Sequence, residues 1–90
     1  MSAVYGRADQ VLHRNTGPDV VAMLPGEGDV HLLSGPAAVV WELLSEEAAL
    51  DGLIHAMADL YDRPAEEIAA SVETCLNDLA SRRLVEMHRA

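Results

Sequence analysis

The sequence predicts an α+β fold in which a three-stranded antiparallel sheet is followed by three helices. Short apolar runs separated by turn-forming residues occupy the first part of the chain, and longer stretches with helical periodicity occupy the rest. Strands grouped before helices favour this class over a parallel α/β sheet. A length of 90 residues corresponds to one domain. We expect this domain to span residues 10–88, behind a flexible N-terminal segment at residues 1–9.

The three predicted strands are short and lie close together in the sequence. The first covers residues 10–14 and is followed by the turn formers Gly17 and Pro18. The second covers residues 19–24, and the third covers residues 30–33 after a turn rich in glycine. Turns of about five residues leave no room for crossover helices, so consecutive strands should be antiparallel neighbours.

Residues 33–44 connect the predicted sheet to the first predicted helix. Ser34 is suited to be the N-cap, and Pro36 falls in the first turn, where its missing N–H costs nothing. The apolar residues at helical spacing are Ala37, Val40, Trp41 and Leu44. Trp41 is the only tryptophan, and we expect it to be a core anchor rather than a ligand contact.

Two further helices follow. The second is predicted over residues 48–61 and ends before Pro64, because the residue preceding a proline avoids the helical conformation. The third begins at Pro64 or the next residue, and its apolar face is formed by Ile68, Val72, Cys75, Leu76 and Leu79. Arg82 and Arg83 are expected in its last turn, where cations suit the helix dipole. Residues 84–87 are apolar enough to pack back on the core.

The formal net charge of −9, from 15 acidic and 6 basic residues, narrows the classes of partner. Nucleic-acid binding relies on Lys and Arg that neutralise phosphates, and anionic membranes attract basic surfaces, so neither partner is expected. Cys75 is the only cysteine, which excludes an internal disulfide and fits a reducing compartment. Neither a signal peptide nor a membrane-spanning run is recognisable, so we expect a cytoplasmic protein.

Catalytic and metal-binding patterns are not evident in the sequence. His13, His31, His55 and His88 are scattered over predicted strands, a helix and the tail, whereas zinc needs three or four converging ligands. Cys75 lies on an apolar helix face, which favours a small buried hydrophobe over a reactive thiol. We therefore expect no catalytic residues, no metal and no cofactor, and we favour a binding protein over an enzyme.

The third predicted strand offers an edge at which a partner peptide could add. It contains neither lysine nor proline, and Asp29 at its start is its only charge. Such an edge suits β-augmentation, in which an extended peptide adds a strand and side-chain pockets select its sequence. The acidic surface would favour a peptide with basic residues. The alternative is that the N-terminal segment or a second copy of the chain covers this edge.

Two stretches resemble the PqqD-like family, also called the RiPP precursor peptide recognition element. Residues 33–44, Leu-Ser-Gly-Pro-Ala-Ala-Val-Val-Trp-Glu-Leu-Leu, resemble the family signature L-N-x-T-A-x-x-I/V-W-x-L. Residues 61–68 resemble Y-D-x-P-x-E-E-I, and residues 72–85 resemble V-x-x-x-L-x-x-L-x-x-x-G-L-V. The departures include Ser34 for Asn and Arg83 for Gly. The resemblance extends over residues 10–86.

The resemblance implies a winged-helix-like fold and a function. Family members bind the leader segment of a ribosomally made precursor peptide, which adds to the third strand beside the third helix. Carried onto this sequence, the peptide-binding residues are Val30, His31, Leu32, Leu33, Val72, Cys75, Leu76, Leu79 and Arg82. The resemblance also implies delivery of the precursor to a modifying enzyme, such as a radical-SAM protein, or to a leader peptidase, as in PQQ-type or lasso-peptide biosynthesis.

Several alternatives stay open at this point. A winged-helix DNA-binding protein fits the topology but not the charge, and an acyl carrier protein lacks a suitable Asp-Ser attachment site. A third alternative is a structural or dimerisation module, in which the chain could form a homodimer. The strand register is also open: either Val30 and Leu32 or His31 and Leu33 face the helices, because a slip of one residue exchanges the faces.

Overall fold

The computed structural model of the chain describes residues 3–89. Within that range it contains six strands and three helices, which confirms the predicted α+β class and adds three strands to it. The elements are β1 (Ala3–Arg7), β2 (Leu12–Thr16), β3 (Asp19–Met23), β4 (Val30–Leu33), α1 (Pro36–Leu43), β5 (Ala48–Ala49), α2 (Leu50–Tyr61), α3 (Ala65–Ser81) and β6 (Val85–Arg89).

The three predicted strands form one antiparallel sheet, in the order β2-β3-β4, which we call the meander sheet. Its first strand begins two residues later than predicted, and its third strand has the predicted bounds. Thr16 pairs with Asp19, so the β2–β3 loop has only two residues, Gly17 and Pro18. Gly17 has a φ of 81°, which suits the first central position of a type II′ hairpin turn.

A second antiparallel sheet was not predicted. Its order is β5-β1-β6, and we call it the terminal sheet. Strand β1 pairs along its length with β6, from Ala3 opposite Arg89 to Arg7 opposite Val85. Within the segment predicted to be flexible, residues 1–9, Ala3–Arg7 is therefore a paired strand, and residues 1 and 2 lie outside the described range. Of residues 84–87, which were predicted to pack on the core, Leu84 and Val85 are buried, whereas Met87 is 51% exposed.

The helix starts differ from the predicted caps. Gly35, with a φ of 59°, is the N-cap of α1, and no side chain caps this helix. The prediction of Ser34 as N-cap is therefore wrong, because the chain turns one residue later, where glycine tolerates the left-handed conformation. Pro36 does open the helix, as predicted. Helix α2 starts at Leu50 rather than residue 48, because Ala48–Ala49 pairs with β1.

Helix α3 ends in a Schellman motif. The backbone N–H of Leu84 donates to the Leu79 carbonyl at 3.0 Å, and that of Arg83 donates to the Ala80 carbonyl at 3.0 Å. Arg83 has a φ of 63°, in the left-handed region. Arg82 is the C-cap, and the last turn carries no basic residue. Both arginines therefore lie past the helix rather than in its last turn as predicted.

Trp41 lies where the two sheets meet the helices. It is fully buried, as predicted for a core anchor. The Arg7 guanidinium lies 4.6 Å from the centre of its ring and donates to its carbonyl oxygen at 2.7 and 3.1 Å. Burial lowers the pKa of Arg7, and the charge of Glu42 opposes this effect. The His13 ring approaches Trp41 edge-on at 5.4 Å, so α1 is tied to both sheets.

The core is built from one face of each helix and the inner face of the meander sheet. Its fully buried members include Val20, Val40, Trp41, Leu53, Val72, Leu76, Leu79 and Leu84. In the described part of the chain, no helix is both long and apolar enough to cross a membrane.

Candidate functional site

The outer edge of β4 has no strand partner among residues 3–89. Strand β4 is the last strand of the meander sheet, and in the described part of the chain it pairs only with β3. The strand is four residues long and apolar apart from His31. The unpaired N–H and C=O groups along its outer edge are available to an added strand.

The structure decides which side chains of β4 face the core. Leu33 is 1% exposed and His31 is half-buried, whereas Val30 and Leu32 are 62% and 59% exposed. His31 and Leu33 therefore point inward. The Nε2 atom of His31 is buried and has no hydrogen-bond partner in the structure. Burying such an atom unpaired costs about 1–3 kcal/mol, which makes His31 a candidate for contact with a ligand.

A groove of about 380 Å³ runs along α3. Its lining consists of Pro36, Ala70, Ser71, Thr74 and Cys75. The four helix residues are small and occupy one side of α3, which leaves space above the helix. Pro36 lies three residues after the end of β4, so one end of the groove lies close to the end of β4.

A second depression, of about 260 Å³, continues this groove between α2 and α3. Its lining residues are Pro36, Met57, Tyr61, Arg63, Glu67, Ile68 and Ser71. Since Pro36 and Ser71 line both depressions, we treat them as one surface, the α3 groove. Arg63 and Glu67 form an exposed ion pair at 3.6 Å on its rim. The lining is mainly apolar, which suits an apolar or aromatic side chain of a peptide.

Of the nine predicted site residues, only Cys75 lines this groove. Leu33, Val72, Leu76 and Leu79 are at most 1% exposed and belong to the core. The strongest apolar stripe of an amphipathic helix faces the core. In α3 that stripe contains Val72, Leu76 and Leu79, which pack in the core and do not line the groove. The groove is lined by the neighbouring face of α3, of which only Cys75 was predicted.

Sequence reasoning missed Pro36, Ala70, Ser71, Thr74 and the α2 side of the groove. A signal was present in the sequence. Residues 70, 71, 74 and 75 are all small and recur at helical spacing beside the core stripe. Small side chains on one helix face leave a depression that larger ones would fill.

Cys75 and Arg82 occupy different parts of α3. Cys75 is half-buried in the groove, and burial followed by the charge of Asp78 raises the pKa of its thiol. The thiol is therefore protonated near neutral pH and is a poor nucleophile. Arg82 pairs with Asp78 at 3.2 Å and lies two turns beyond Cys75, about 10 Å along the helix. It is not among the groove-lining residues.

Within residues 3–89, no three His, Cys, Asp or Glu side chains converge as metal ligands would. The groove is lined by apolar and hydrogen-bonding groups, and its one ion pair among the described residues, Arg63–Glu67, is exposed on the rim. Its geometry suits binding of an extended chain: a strand edge for the backbone and a groove for side chains.

The family model for coenzyme PQQ synthesis protein D (PqqD) matches residues 19–85. No curated protein sequence matches the chain. The structure of TbiB1 in complex with the TbiA(beta) leader peptide is similar, with a TM-score of 0.83 and 20% identity, covering 94% of this chain and 99% of that one.

A second similar structure is the PqqD truncation of PqqCD from Methylobacterium extorquens, which is a functional, stand-alone RiPP recognition element. Its TM-score is 0.74 at 21% identity, and the match covers 92% of this chain and 88% of that one. At this low sequence identity, the two similar structures support only the fold. The family model matches residues 19–85, which is most of the sequence, and it shows the family. The chain therefore belongs to the PqqD family.

Proposed function

We propose that this chain binds the leader segment of a ribosomally made precursor peptide and presents the peptide to an enzyme that modifies or cleaves it. The observation that carries the proposal is the unpaired edge of β4 beside the α3 groove. Membership of the PqqD family and the leader-peptide complex of TbiB1 support it.

The peptide binds as a fourth strand of the meander sheet. Its backbone pairs with the free edge of β4, and its side chains alternate between the two faces of the sheet. Those on the inner side approach His31 and the α3 groove, and an apolar or aromatic residue anchors there. Those on the outer side lie beside Val30 and Leu32. Backbone pairing supplies affinity, and the groove supplies selectivity.

The net charge of −9 favours a leader that carries basic residues. Because these are interactions between exposed charges, salt should weaken them. Affinity that falls as ionic strength rises is the expected signature.

The chain acts by binding and holds no catalytic role in this scheme. The chemistry belongs to a partner, a modifying enzyme such as a radical-SAM protein or a leader peptidase. The half-buried, protonated Cys75 fits this assignment, because its raised pKa disfavours covalent catalysis.

Calorimetric titration with the leader peptide encoded beside this chain tests the proposal, with a scrambled leader as the control. We expect a Kd tighter than about 100 μM, or about −5.5 kcal/mol. Weaker binding, or equal binding of the scrambled peptide, would reject the function. Tight binding to duplex DNA at low salt would favour the DNA-binding alternative instead.

Proline substitutions at two adjacent positions test strand addition. In an antiparallel strand, the N–H groups of consecutive residues point alternately to the two edges. One of Leu32→Pro and His31→Pro should therefore disturb pairing with β3, and the other should remove an N–H from the free edge. We expect one variant to lose stability and the other to stay folded and lose leader binding. If every variant that stays folded binds the leader with wild-type affinity, strand addition at this edge is excluded.

A further inference from the structure

The outer face of the meander sheet is apolar across all three strands. Its two adjacent rows of cross-strand neighbours are Leu12–Met23–Val30 and Arg14–Val21–Leu32. We call these six residues the outer face. The opposite side of the same sheet is in the core, through Val20, Ala22 and Leu33. An antiparallel sheet with one buried face ordinarily carries polar residues on the other.

This face concentrates exposed apolar side chains. Leu12, Val30 and Leu32 are 55%, 62% and 59% exposed, and they are half of the large hydrophobic side chains exposed within residues 3–89. Leu12 and Val30, with Arg14, Val21 and Met23 of the same face and with His13, line a shallow depression of about 420 Å³. Contiguous apolar patches of this kind mark sites of association.

The charges around this face select the kind of partner. Arg14 is the only charged residue of the two rows, although the chain carries a net charge of −9. Acidic residues flank the face, with Asp19 at the hairpin end and Asp29 before β4. Two copies of the chain would repel each other through their like net charge. The outer face is complementary to a partner surface that has an apolar centre and a basic rim. Such a partner would also place a carboxylate opposite Arg14.

We propose that the outer face docks the enzyme that acts on the bound precursor, an inference that rests on the leader-binding function proposed above. The enzyme presents a basic, apolar-centred surface. The docking surface and the free edge of β4 are perpendicular to each other, so both can be occupied together.

A leader strand on β4 enlarges this docking surface. Its outward side chains continue the rows beyond Val30 and Leu32, and the face becomes four strands wide. The enzyme then contacts the protein and its peptide together. Leader binding and enzyme binding therefore strengthen each other by the same factor, since such coupling is reciprocal.

Two matched variants test the proposal. Leu12→Asp changes the outer face on β2, two strands away from the leader edge. Leu60→Asp makes the same change at a leucine of α2 that is 63% exposed and lies off this face. Each variant is titrated with the purified modifying enzyme encoded beside this chain, with and without leader, and separately with leader alone.

We expect Leu12→Asp to weaken enzyme binding about tenfold or more and Leu60→Asp to change it less than about twofold. Leader affinity should be unchanged in both variants. Leu12→Ser replaces Leu12→Asp if circular dichroism shows that the latter is unfolded.

Equal enzyme affinity of the Leu12 and Leu60 variants would overturn the docking surface. So would light scattering that finds a wild-type dimer and a monomeric Leu12→Asp variant, because a second copy would then occupy the face. Absence of leader binding to the wild-type chain, with enzyme binding still lost in Leu12→Asp, would retain the docking surface and reject the leader function alone.

Discussion

Filling the α3 groove at Ser71 should block leader binding without unfolding the protein. Ser71 is exposed and lines both depressions of the groove. A tryptophan there would project into the space that the peptide anchor needs. Burial of one apolar anchor side chain is worth about 1.5–3 kcal/mol, which corresponds to a loss of about 10-fold to 150-fold in affinity.

Glu73→Trp is the matched control for Ser71→Trp. Glu73 is also exposed on α3, but it lies two residues away, on a different side of the helix. Calorimetry with the leader peptide should show weak binding for Ser71→Trp and wild-type binding for Glu73→Trp, with similar melting temperatures for both. Wild-type affinity of a folded Ser71→Trp variant would refute the assignment of the anchor to this groove.

Three further predictions concern stability and reactivity. Arg83→Gly should be more stable than Arg82→Gly by about 1–2 kcal/mol, because only Arg83 has a positive φ, and thermal melts of the two variants measure the difference. Iodoacetamide should alkylate Cys75 more slowly in the folded chain than in urea. Because burial raises the pKa of the Cys75 thiol, the alkylation rate should rise only above the ordinary pKa of a thiol. Bound leader should slow alkylation further, and rapid labelling of the folded chain at pH 7 would contradict this prediction. Arg7→Met removes the guanidinium from the Trp41 ring and carbonyl and should lower the free energy of unfolding by about 1–3 kcal/mol, whereas an unchanged denaturant midpoint would show that this contact is dispensable.

The elements that the sequence predicted are those defined by local patterns. Strand β4 has the predicted bounds because turn residues precede it and the Ser-Gly-Pro turn ends it. Helices α1 to α3 follow from apolar periodicity and from Pro64, which immediately precedes α3. Both kinds of signal lie within a few residues of the element they define, so they need no knowledge of tertiary contacts.

The terminal sheet could not be predicted in this way. Strand β1 pairs with β6 from the opposite end of the sequence. Residues 85–88 of β6 alternate apolar and polar side chains, but β1 has no such alternation. Pairing over such a separation depends on how the helices bring the two ends together. The left-handed conformation of Arg83 was not predicted either, because arginine rarely adopts it. The glycine at the same position of the family signature was a signal for it.

The candidate site was predicted in part. The free strand was identified correctly as an unpaired edge, because charge and proline content are readable from residues 29–33. The helix side was assigned to the apolar stripe, which the structure places in the core through Val72, Leu76 and Leu79. A sequence pattern reports which face of a helix is apolar, but a groove also depends on which neighbouring elements leave space beside it.

Amide hydrogen exchange along β4 tests the central claim most directly. If the leader adds as a strand, the exposed N–H groups of Val30–Leu33 become hydrogen-bonded, and their exchange should slow markedly when leader is bound. Amides of β2, at the other edge of the meander sheet, provide the internal control and should exchange at the same rate. Unchanged exchange in β4, with leader-induced protection confined to other elements, would contradict strand addition at this edge.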